Sequence, residues 1–185
     1  MSERVCPVWI GYLLASPIRK LFQNPRTILG PYVKEGITAL DFGCAMGFFS
    51  VPLARMVGAN GRVICVDMQE KMLKALEKRA RKAGVSNRME ARLCGQNALG
   101  LEEFAGKIDL ALAFAVVHEV PDHPRLFAEL AAAVKPSGTL LVAEPKGHVK
   151  EDNFTRTVSE AQEHGFAVVE TPKIQGSWTA VMKRK

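Results

Sequence analysis

The segment DFGCAMG, residues 41–47, sets a carboxylate beside small residues at every second position. Asp41 ends an apolar run, and Gly43, Ala45 and Gly47 follow before a second apolar run begins. Glycine adopts backbone conformations that other residues avoid, and it lets a ligand approach the main chain closely. When such a loop leads into a helix, the free N–H groups of the first turn favour an electron-rich ligand group. We therefore predict a ligand-binding loop at this segment.

A second polar cluster, HEVPDH at residues 118–123, contains two histidines and two acids. His118 is the best candidate for an acid, a base or a substrate contact, since the ordinary pKa of histidine lies near neutrality. The alternative is that His118 caps and orders its own loop. We predict no metal site, because His118 and His123 are five positions apart across a proline and so do not share one helix face. Glu144, Lys146 and His148 are secondary candidates for residues at the entrance of the substrate site. The favoured interpretation of these three residues is a solvated loop without a role in binding.

Strand-like and helix-like segments alternate along the chain from residue 37. The strand-like runs are residues 37–41, 61–67, 89–95, 107–117, 138–145, 166–174 and 177–185. The helix-like segments are residues 47–58, 69–84, 123–138 and 154–165. Such alternation gives a parallel sheet with helices on both faces, whereas the short Gln175–Gly176 link favours a hairpin at the end. The predicted fold is α/β, a doubly wound, mostly parallel seven-stranded sheet with an antiparallel C-terminal hairpin strand.

Ligands bind open α/β sheets beyond the carboxyl ends of the strands, at the switch point beside the first strand. That rule places residues 41–47 at the binding site. A dinucleotide fits poorly, because its fingerprint needs glycine at the positions of Gly43, Ala45 and Phe48. Two of the three glycines are missing, and the Phe48 ring would fill the space that a pyrophosphate needs. A dinucleotide-dependent oxidoreductase is therefore disfavoured.

DFGCAMG instead resembles Asp-x-Gly-x-Gly-x-Gly, the first motif of the class I S-adenosylmethionine-dependent methyltransferases. The match is at Asp41, Gly43 and Gly47, with Ala45 in place of the central glycine. The alanine methyl group is expected to be tolerated if the φ angle of Ala45 is negative. The resemblance implies the Rossmann-like methyltransferase fold.

Further segments extend this resemblance over residues 30–185. Asp67 ends the second strand, where the family has the acidic residue that holds the two ribose hydroxyls. GQNAL resembles the family's Gly-Asp-Ala segment, which implies that Asn97 faces the adenine amino group. Residues 114–122 and 134–145 resemble the corresponding parts of the small-molecule, quinone-methyltransferase-like branch. Taken singly, Asp67 could cap the following helix and Asn97 could be a turn residue.

The resemblance implies methyl transfer by in-line displacement from S-adenosylmethionine to a small-molecule acceptor, with S-adenosylhomocysteine as the product. It also implies that Asp41 positions the amino group of the cofactor and that main-chain groups around Gly43 and Ala115 hold its methionine end. The implied cofactor-binding residues are Asp41, Gly43, Ala45, Gly47, Asp67, Met68, Asn97, Ala98 and Ala115, and the candidate catalytic residue is His118. The alternative is a non-catalytic module that binds the cofactor or, through a basic surface, a partner.

The net charge of +6 arises largely from residues 69–84. Met72, Leu73 and Leu76 recur there at helical spacing, so the lysines and arginines are expected on the outer, solvated face of a helix. No aromatic residues interleave with these charges, as a platform for single-stranded nucleic acid would require. Residues 115–120 read AVVHEV, not the Asn/Asp-Pro-Pro-aromatic segment of methyltransferases that act on base amines. Both observations argue against a nucleic-acid substrate.

The four cysteines are widely spaced and form no Cys-x-x-Cys pair, which indicates a reducing compartment and a cytoplasmic location. Cys65 and Cys94 lie in strand-like runs, and both are expected to be buried. Arsenite methylation would need cysteines gathered around the substrate, and it remains an open alternative.

Residues 1–30 form a predicted helical lead-in, broken by Pro17, before a methyltransferase domain at residues 31–185. Its apolar stretch is too short to span a bilayer. It is either a lid over an apolar pocket for a flat or lipophilic acceptor or a surface that packs on a second subunit, so that a monomer and a homodimer both remain open. The apolar side chains concerned are Trp9, Tyr12, Leu13 and Phe22.

Overall fold

The computed structural model describes residues 22–95 and 98–185. In chain order the elements are α1 (Pro25–Leu29), β1 (Thr38–Phe42), α2 (Ser50–Met56), β2 (Arg62–Asp67), α3 (Glu70–Ala83), β3 (Met89–Leu93), β4 (Ile108–Phe114), α4 (His123–Ala133), β5 (Val134–Pro145), α5 (Glu151–Glu163), β6 (Phe166–Glu170) and β7 (Ser177–Arg184). Three short 3-10 turns, at Ser86–Arg88, Glu102–Phe104 and Val117–Glu119, lie between them.

The seven strands form one sheet in the order β3-β2-β1-β4-β5-β7-β6. The first five strands pair in parallel, and β7 lies antiparallel between β5 and β6. The predicted doubly wound, mostly parallel sheet with an antiparallel C-terminal strand is therefore confirmed. The order reverses at β1, so its carboxyl end is the switch point where such sheets bind ligands.

Two hydrophobic clusters, one on each face of the sheet, hold the helices in place. Neighbouring residues of a strand point to opposite faces, and accordingly Leu40 belongs to one cluster and Ala39 to the other. Phe127 of α4 packs in the first cluster and Leu76 of α3 in the second. Burial on both faces explains why β1, β2 and β4 are almost continuously apolar in sequence.

Helix α3 has the outer basic face predicted from its sequence. Met72, Leu73, Leu76 and Ala80 are buried, whereas the lysines of the helix are exposed. Two of its basic side chains form ion pairs along the helix surface, Lys74 with Glu70 and Arg81 with Glu77. Exposed pairs of this kind contribute only a few tenths of a kcal/mol, ~0.3–0.5, so the basic face is a solvated surface.

The boundary between α4 and β5 differs from the prediction. The helix ends at Ala133 and not at Gly138, and the strand begins at Val134. Proline disfavours helical backbone at the residue before it, so the helix cannot continue through Lys135. Residues 134–138 instead form an irregular strand in which the register with β4 shifts by several residues. Ser137 has a φ of +62° within this irregular stretch.

Other boundaries also differ from the prediction, and β4, for example, ends at Phe114 and not at residue 117. Helix α2 begins at Ser50 and not at Gly47, while α5 begins earlier than predicted, at Glu151. Strand β6 ends at Glu170, so residues 171–176 connect it to β7 in place of a two-residue turn. Pro172 explains this early end, because proline cannot donate a hydrogen bond to a strand ladder. Its carbonyl instead accepts a hydrogen bond from the Thr179 hydroxyl.

The described cysteines, Cys44, Cys65 and Cys94, are free thiols. Cys65 is buried in β2 as predicted, but the prediction for Cys94 is wrong, because this residue is only half-buried. Cys94 follows β3, which lies at the edge of the sheet and pairs with a single strand, β2, among the described residues. Within residues 22–95 and 98–185, no helix is long and apolar enough to cross a membrane.

Candidate cofactor and acceptor site

The sheet order brings the predicted site residues together. Strand β1 lies between β2 and β4, so the loop of residues 41–47, Asp67 and Ala115 all meet at the carboxyl edge of three adjacent strands. Met68 follows Asp67 and is partly exposed at this edge. Ala98 is half-buried and forms a bridge to Gly95. Asn97, the predicted adenine contact, lies outside the described residues.

Asp67 ties the loop after β1 to the end of β2. One carboxylate oxygen accepts a hydrogen bond from the Ala45 N–H at 2.8 Å, and the other accepts one from the Gln69 N–H at 2.8 Å. The side chain is only 7% exposed, and burial raises the pKa of its carboxyl group above the ordinary value, against backbone N–H groups that lower it. A buried carboxylate is stable only where such donors reach it, so the loop and the carboxylate stabilise each other.

The loop of residues 41–47 turns because three of its small residues have a left-handed backbone conformation, with positive φ angles. The φ angles are +70° at Gly43, +45° at Ala45 and +80° at Gly47. The condition under which the alanine methyl group was expected to be tolerated, a negative φ, is therefore not met, and in this conformation the N–H of Ala45 points at Asp67. At Gly43 a side chain has no room either, because an added Cβ would lie 2.4 Å from a methyl carbon of Val116.

Asp41 connects β1 to the first residue of α2. It is 3% exposed, and one of its carboxylate oxygens accepts a hydrogen bond from the Ser50 hydroxyl. Sequence reasoning missed Ser50, since its partner lies nine residues earlier in the chain. The bond holds the Asp41 carboxylate against the first turn of α2.

A second buried carboxylate, Glu144, organises the ends of β4 and β5. It is 1% exposed, and its Oε1 accepts hydrogen bonds from the N–H groups of Val116 at 3.2 Å and Val117 at 2.9 Å. Its Oε2 accepts a hydrogen bond from Nδ1 of His118. The interpretation of Glu144 as part of a solvated loop is therefore wrong, because β5 is an inner strand and its last residues are covered by the turn after β4.

His118 is partly exposed beside this carboxylate. The hydrogen bond to Glu144 raises the pKa of the imidazole above its ordinary value, against the opposing effect of burial. The ring of His148 lies near that of His118, with 5.9 Å between the ring centroids. His123, in contrast, has a structural environment: its ring nitrogens lie 2.8 Å from a Glu160 carboxylate oxygen and 3.0 Å from the Val117 carbonyl. Both ring nitrogens of His123 thus have partners, whereas the hydrogen bond of His118 to Glu144 uses Nδ1.

Ala115 makes the turn at the end of β4. Its φ is +58°, and its N–H donates to the Ala143 carbonyl at 2.7 Å. The bend directs the following residues back over β5, which is why Val116 can contact Gly43 and His118 can reach Glu144.

The residues present fit S-adenosylmethionine at the position predicted for its ribose. A carboxylate offers about four acceptor positions, and the Asp67 carboxylate accepts the N–H groups of Ala45 and Gln69 at 2.8 Å, one on each oxygen, while the Met68 N–H also lowers its pKa. The backbone donors do not use all of these positions, which leaves the carboxylate able to accept from ribose hydroxyls. Among the described residues, no group of three or more histidine, cysteine or acidic side chains is arranged to hold a metal ion.

Comparisons with known proteins agree with this arrangement. The family model described as a methyltransferase domain matches residues 33–185. The chain belongs to this family. The resemblance to the class I methyltransferases, with S-adenosylmethionine as the cofactor of the family, is therefore confirmed.

Two curated relatives of this chain carry more specific names. The ubiquinone biosynthesis O-methyltransferase of Methylobacterium nodulans is 33% identical over 141 residues, which is 76% of this chain and 53% of the relative. The demethylmenaquinone methyltransferase of Lactobacillus johnsonii is 31% identical over 112 residues, or 60% of this chain and 45% of the relative. The chain thus spans about half the length of these relatives.

Two solved methyltransferase structures share the fold of this chain. A SAM-dependent methyltransferase from Aquifex aeolicus superposes with a TM-score of 0.87 at 21% identity, over 98% of this chain and 100% of that one. A geranyl diphosphate methyltransferase, solved in complex with GPP and sinefungin, superposes with a TM-score of 0.72 at 14% identity, over 87% of this chain and 76% of that one. At these identities the likeness concerns the fold alone.

The left-handed backbone at Ala45 leads to a stability prediction. Ala45→Gly relieves a conformation that costs about 1–2 kcal/mol for an L-residue, and it adds about 0.5–1 kcal/mol of backbone entropy loss on folding. We expect the free energy of unfolding in urea to stay the same or to rise by up to about 1 kcal/mol. The matched control Ala75→Gly, in the middle of α3, should lower it by about 1 kcal/mol. Equal losses in both variants would contradict the left-handed assignment.

Proposed function

We propose that this methyltransferase catalyses methyl transfer from S-adenosylmethionine to a small-molecule acceptor. The observation that carries the proposal is the carboxyl-edge site in which Asp67, already bonded to the loop of residues 41–47, keeps acceptor positions for a ribose. The loop and the sheet position are those of a ligand site in a doubly wound fold. A non-catalytic binding module is not favoured, because the same edge also presents a histidine paired with a buried carboxylate.

Each predicted residue has a role in this proposal. Asp67 accepts hydrogen bonds from the two ribose hydroxyls, and Asp41 positions the amino group at the methionine end. Main-chain groups around Gly43 and Ala115 line that end. When bound, the cofactor supplies a methyl group on a sulfonium, which makes the carbon electrophilic. The protein's part is to align the acceptor with this carbon and to exclude water, and such orientation can supply several kcal/mol.

The remaining cofactor contacts are proposed at the adenine. Met68 contributes an apolar surface beside it, in line with its partial exposure at the end of β2. Ala98 borders the same region, and Asn97 is proposed to accept a hydrogen bond from the adenine amino group, as a side-chain carbonyl can.

The acceptor is proposed to be a flat or lipophilic small molecule such as a quinone precursor. The two curated relatives named for ubiquinone and menaquinone synthesis support this class. Acceptor contacts are assigned to the side of the site formed by His118 and the loop after β5. The outer basic face of α3 supports no nucleic-acid substrate, because its charges lie on a solvated helix surface. We also propose a cytoplasmic location, since free thiols are typical of a reducing compartment. The proposed oligomeric state is a monomer or a homodimer.

Burial of the cysteine thiols does not favour the arsenite alternative. Burial raises the pKa of the Cys44 and Cys65 thiols well above the ordinary value. The thiolate is the form that binds a soft metalloid, so raised pKa values oppose such binding.

Asp67→Ala tests the proposed cofactor site. Loss of both ribose contacts should weaken binding of S-adenosylmethionine and S-adenosylhomocysteine by at least 100-fold, as measured by titration calorimetry, since two hydrogen bonds to a charged group are worth about 3 kcal/mol or more. Asp109→Ala is the matched control. Asp109 also accepts a backbone N–H, that of Thr38, but it lies at the amino end of β4. Wild-type protein that binds NADH and neither S-adenosylmethionine nor S-adenosylhomocysteine would refute the proposed function.

We further propose that the part of residues 1–30 that precedes Gln23 covers this site as a lid, since Pro25 and Leu29 are buried in the domain. Trp9, Tyr12 and Leu13 lie outside the described residues, and Phe22, the first described residue, is exposed. Gln23 donates hydrogen bonds to the Gln175 carbonyl at 3.3 Å and the Ser177 hydroxyl at 3.5 Å. Ser177 pairs with Pro145 at the end of β5, so the chain enters the domain at the edge that carries the site.

A single-tryptophan variant tests the lid. Trp178→Phe leaves Trp9 as the only tryptophan of the chain. Saturation with S-adenosylhomocysteine should shift the Trp9 fluorescence to shorter wavelength, because closure over the ligand removes the ring from water. The same titration on Trp178→Phe combined with Asp67→Ala provides the control, with no shift expected. An unchanged emission spectrum in protein that calorimetry shows to be saturated would argue against the lid.

A further inference from the structure

The two carboxylate oxygens of Glu144 have different, fixed partners. Oε1 accepts the N–H groups of Val116 and Val117, and Oε2 accepts Nδ1 of His118. The side chain is almost fully buried at the end of an inner strand, so it cannot exchange these roles by rotating into solvent. The backbone of the turn after β4 therefore determines which oxygen faces the histidine.

This arrangement determines the tautomer of His118. An ionised carboxylate can only accept hydrogen bonds, so Nδ1 of His118 carries the hydrogen that lies between the two groups. In the neutral imidazole the lone pair is then on Nε2. Within the described part of the chain, no group forms a hydrogen bond to Nε2, and the side chain is 24% exposed. The proton-accepting atom of the ring is thus the one available to a ligand.

We propose that Glu144 is a positioning residue that holds His118 with Nε2 as the proton acceptor for a hydroxyl group of the methyl acceptor. This inference rests on the proposed function and adds the chemical class of the acceptor atom, an oxygen that loses a proton. The acceptor oxygen forms its bond to the methyl carbon, the carbon–sulfur bond breaks with its electron pair returning to sulfur, and the hydroxyl proton passes to Nε2. The resulting imidazolium is stabilised by Glu144 and later loses its proton to water.

The charged groups around His118 agree with this role. Glu144 faces the ring from β5, Glu119 lies on the same turn, and His148 approaches from the loop after β5. Both carboxylates raise the pKa of His118, and its hydrogen bond to Glu144 is the largest cause. A raised pKa makes the neutral imidazole a stronger base, and it moves the pH at which the base becomes available upward. The rate should therefore increase as the pH rises through the pKa of His118.

Glu144→Gln separates positioning from simple loss of charge. The amide oxygen of the glutamine has to face the N–H groups of Val116 and Val117, because its NH₂ group would clash with them as a donor. The NH₂ group then faces His118 and donates to Nδ1, so the hydrogen of the neutral ring moves to Nε2. The variant keeps the shape of the side chain and the backbone contacts, yet it blocks the atom that should accept the proton.

The test combines NMR with kinetics on the full chain. Long-range ¹H–¹⁵N spectra of the neutral imidazole should show the Nδ1–H tautomer for His118 in the wild type and the Nε2–H tautomer in Glu144→Gln, with His118→Gln used for assignment. The pKa of His118 should be lower in Glu144→Gln than in the wild type. Methyl transfer to catechol, 3,4-dihydroxybenzoate and 2-naphthol as hydroxyl probes should fall at least 100-fold in kcat, as expected for loss of a general base. Affinity for S-adenosylhomocysteine should stay within threefold.

Glu119→Gln is the matched control, since it removes a carboxylate of the same turn that forms no hydrogen bond with His118. It should leave the tautomer of His118 unchanged. An unchanged tautomer in Glu144→Gln would overturn the positioning role of Glu144. Wild-type protein that binds the cofactor but methylates benzylamine or thiophenol and none of the hydroxyl probes, or no probe at all, would overturn the oxygen acceptor. Absence of cofactor binding in the wild type would instead refute the proposed function, and the tautomer would still decide the role of Glu144.

Discussion

A buried carboxylate has to find hydrogen-bond donors, and at Asp67 the donors are backbone N–H groups of two different connections. The N–H of Ala45 comes from the loop after β1, and that of Gln69 comes from the chain that leads into α3. The carboxylate therefore joins the carboxyl ends of two neighbouring strands. The left-handed backbone at Ala45, the sharp turn of residues 41–47 and the late start of α2 at Ser50 are all consistent with this one constraint.

Glu144, at the end of β5 on the other side of β1 and β4, is likewise a buried carboxylate held by backbone N–H groups. It binds the backbone of the turn after β4 and adds a side chain, His118, as the third partner. The two carboxylates thus fix the loops on both sides of the switch point, one at the proposed cofactor position and one at the proposed acceptor position. Each is stable in the folded protein because its lone pairs are shared with donors, since an unpaired buried charge would be strongly destabilising. The rigidity of the edge follows from polar contacts, while the packing of the two hydrophobic clusters keeps the strands in place.

The fold could be predicted from the sequence because its signals are periodic and local. Apolar runs such as residues 61–67 identify inner strands, and the spacing of Met72, Leu73 and Leu76 identifies the buried face of α3. The end of α4 was misjudged because the apolar spacing continues past Ala133, and only the register of β5 with β4 shows that Val134 already belongs to the sheet. The position of Asp67 could be found because it ends a strand. The φ of Ala45 and the burial of Glu144 could not be found, since both depend on partners that are distant in sequence.

A crystal structure of the complex with S-adenosylhomocysteine would test the central claim most directly. The account predicts that both Asp67 oxygens accept the ribose hydroxyls, at hydrogen-bond distances of about 2.5–3.0 Å, while still accepting the N–H groups of Ala45 and Gln69. In that complex the methionine end would lie along residues 41–47, and Nε2 of His118 would remain free on the acceptor side. A ligand bound elsewhere on the sheet, or an Asp67 side chain that releases Ala45 to reach the ribose, would contradict the account.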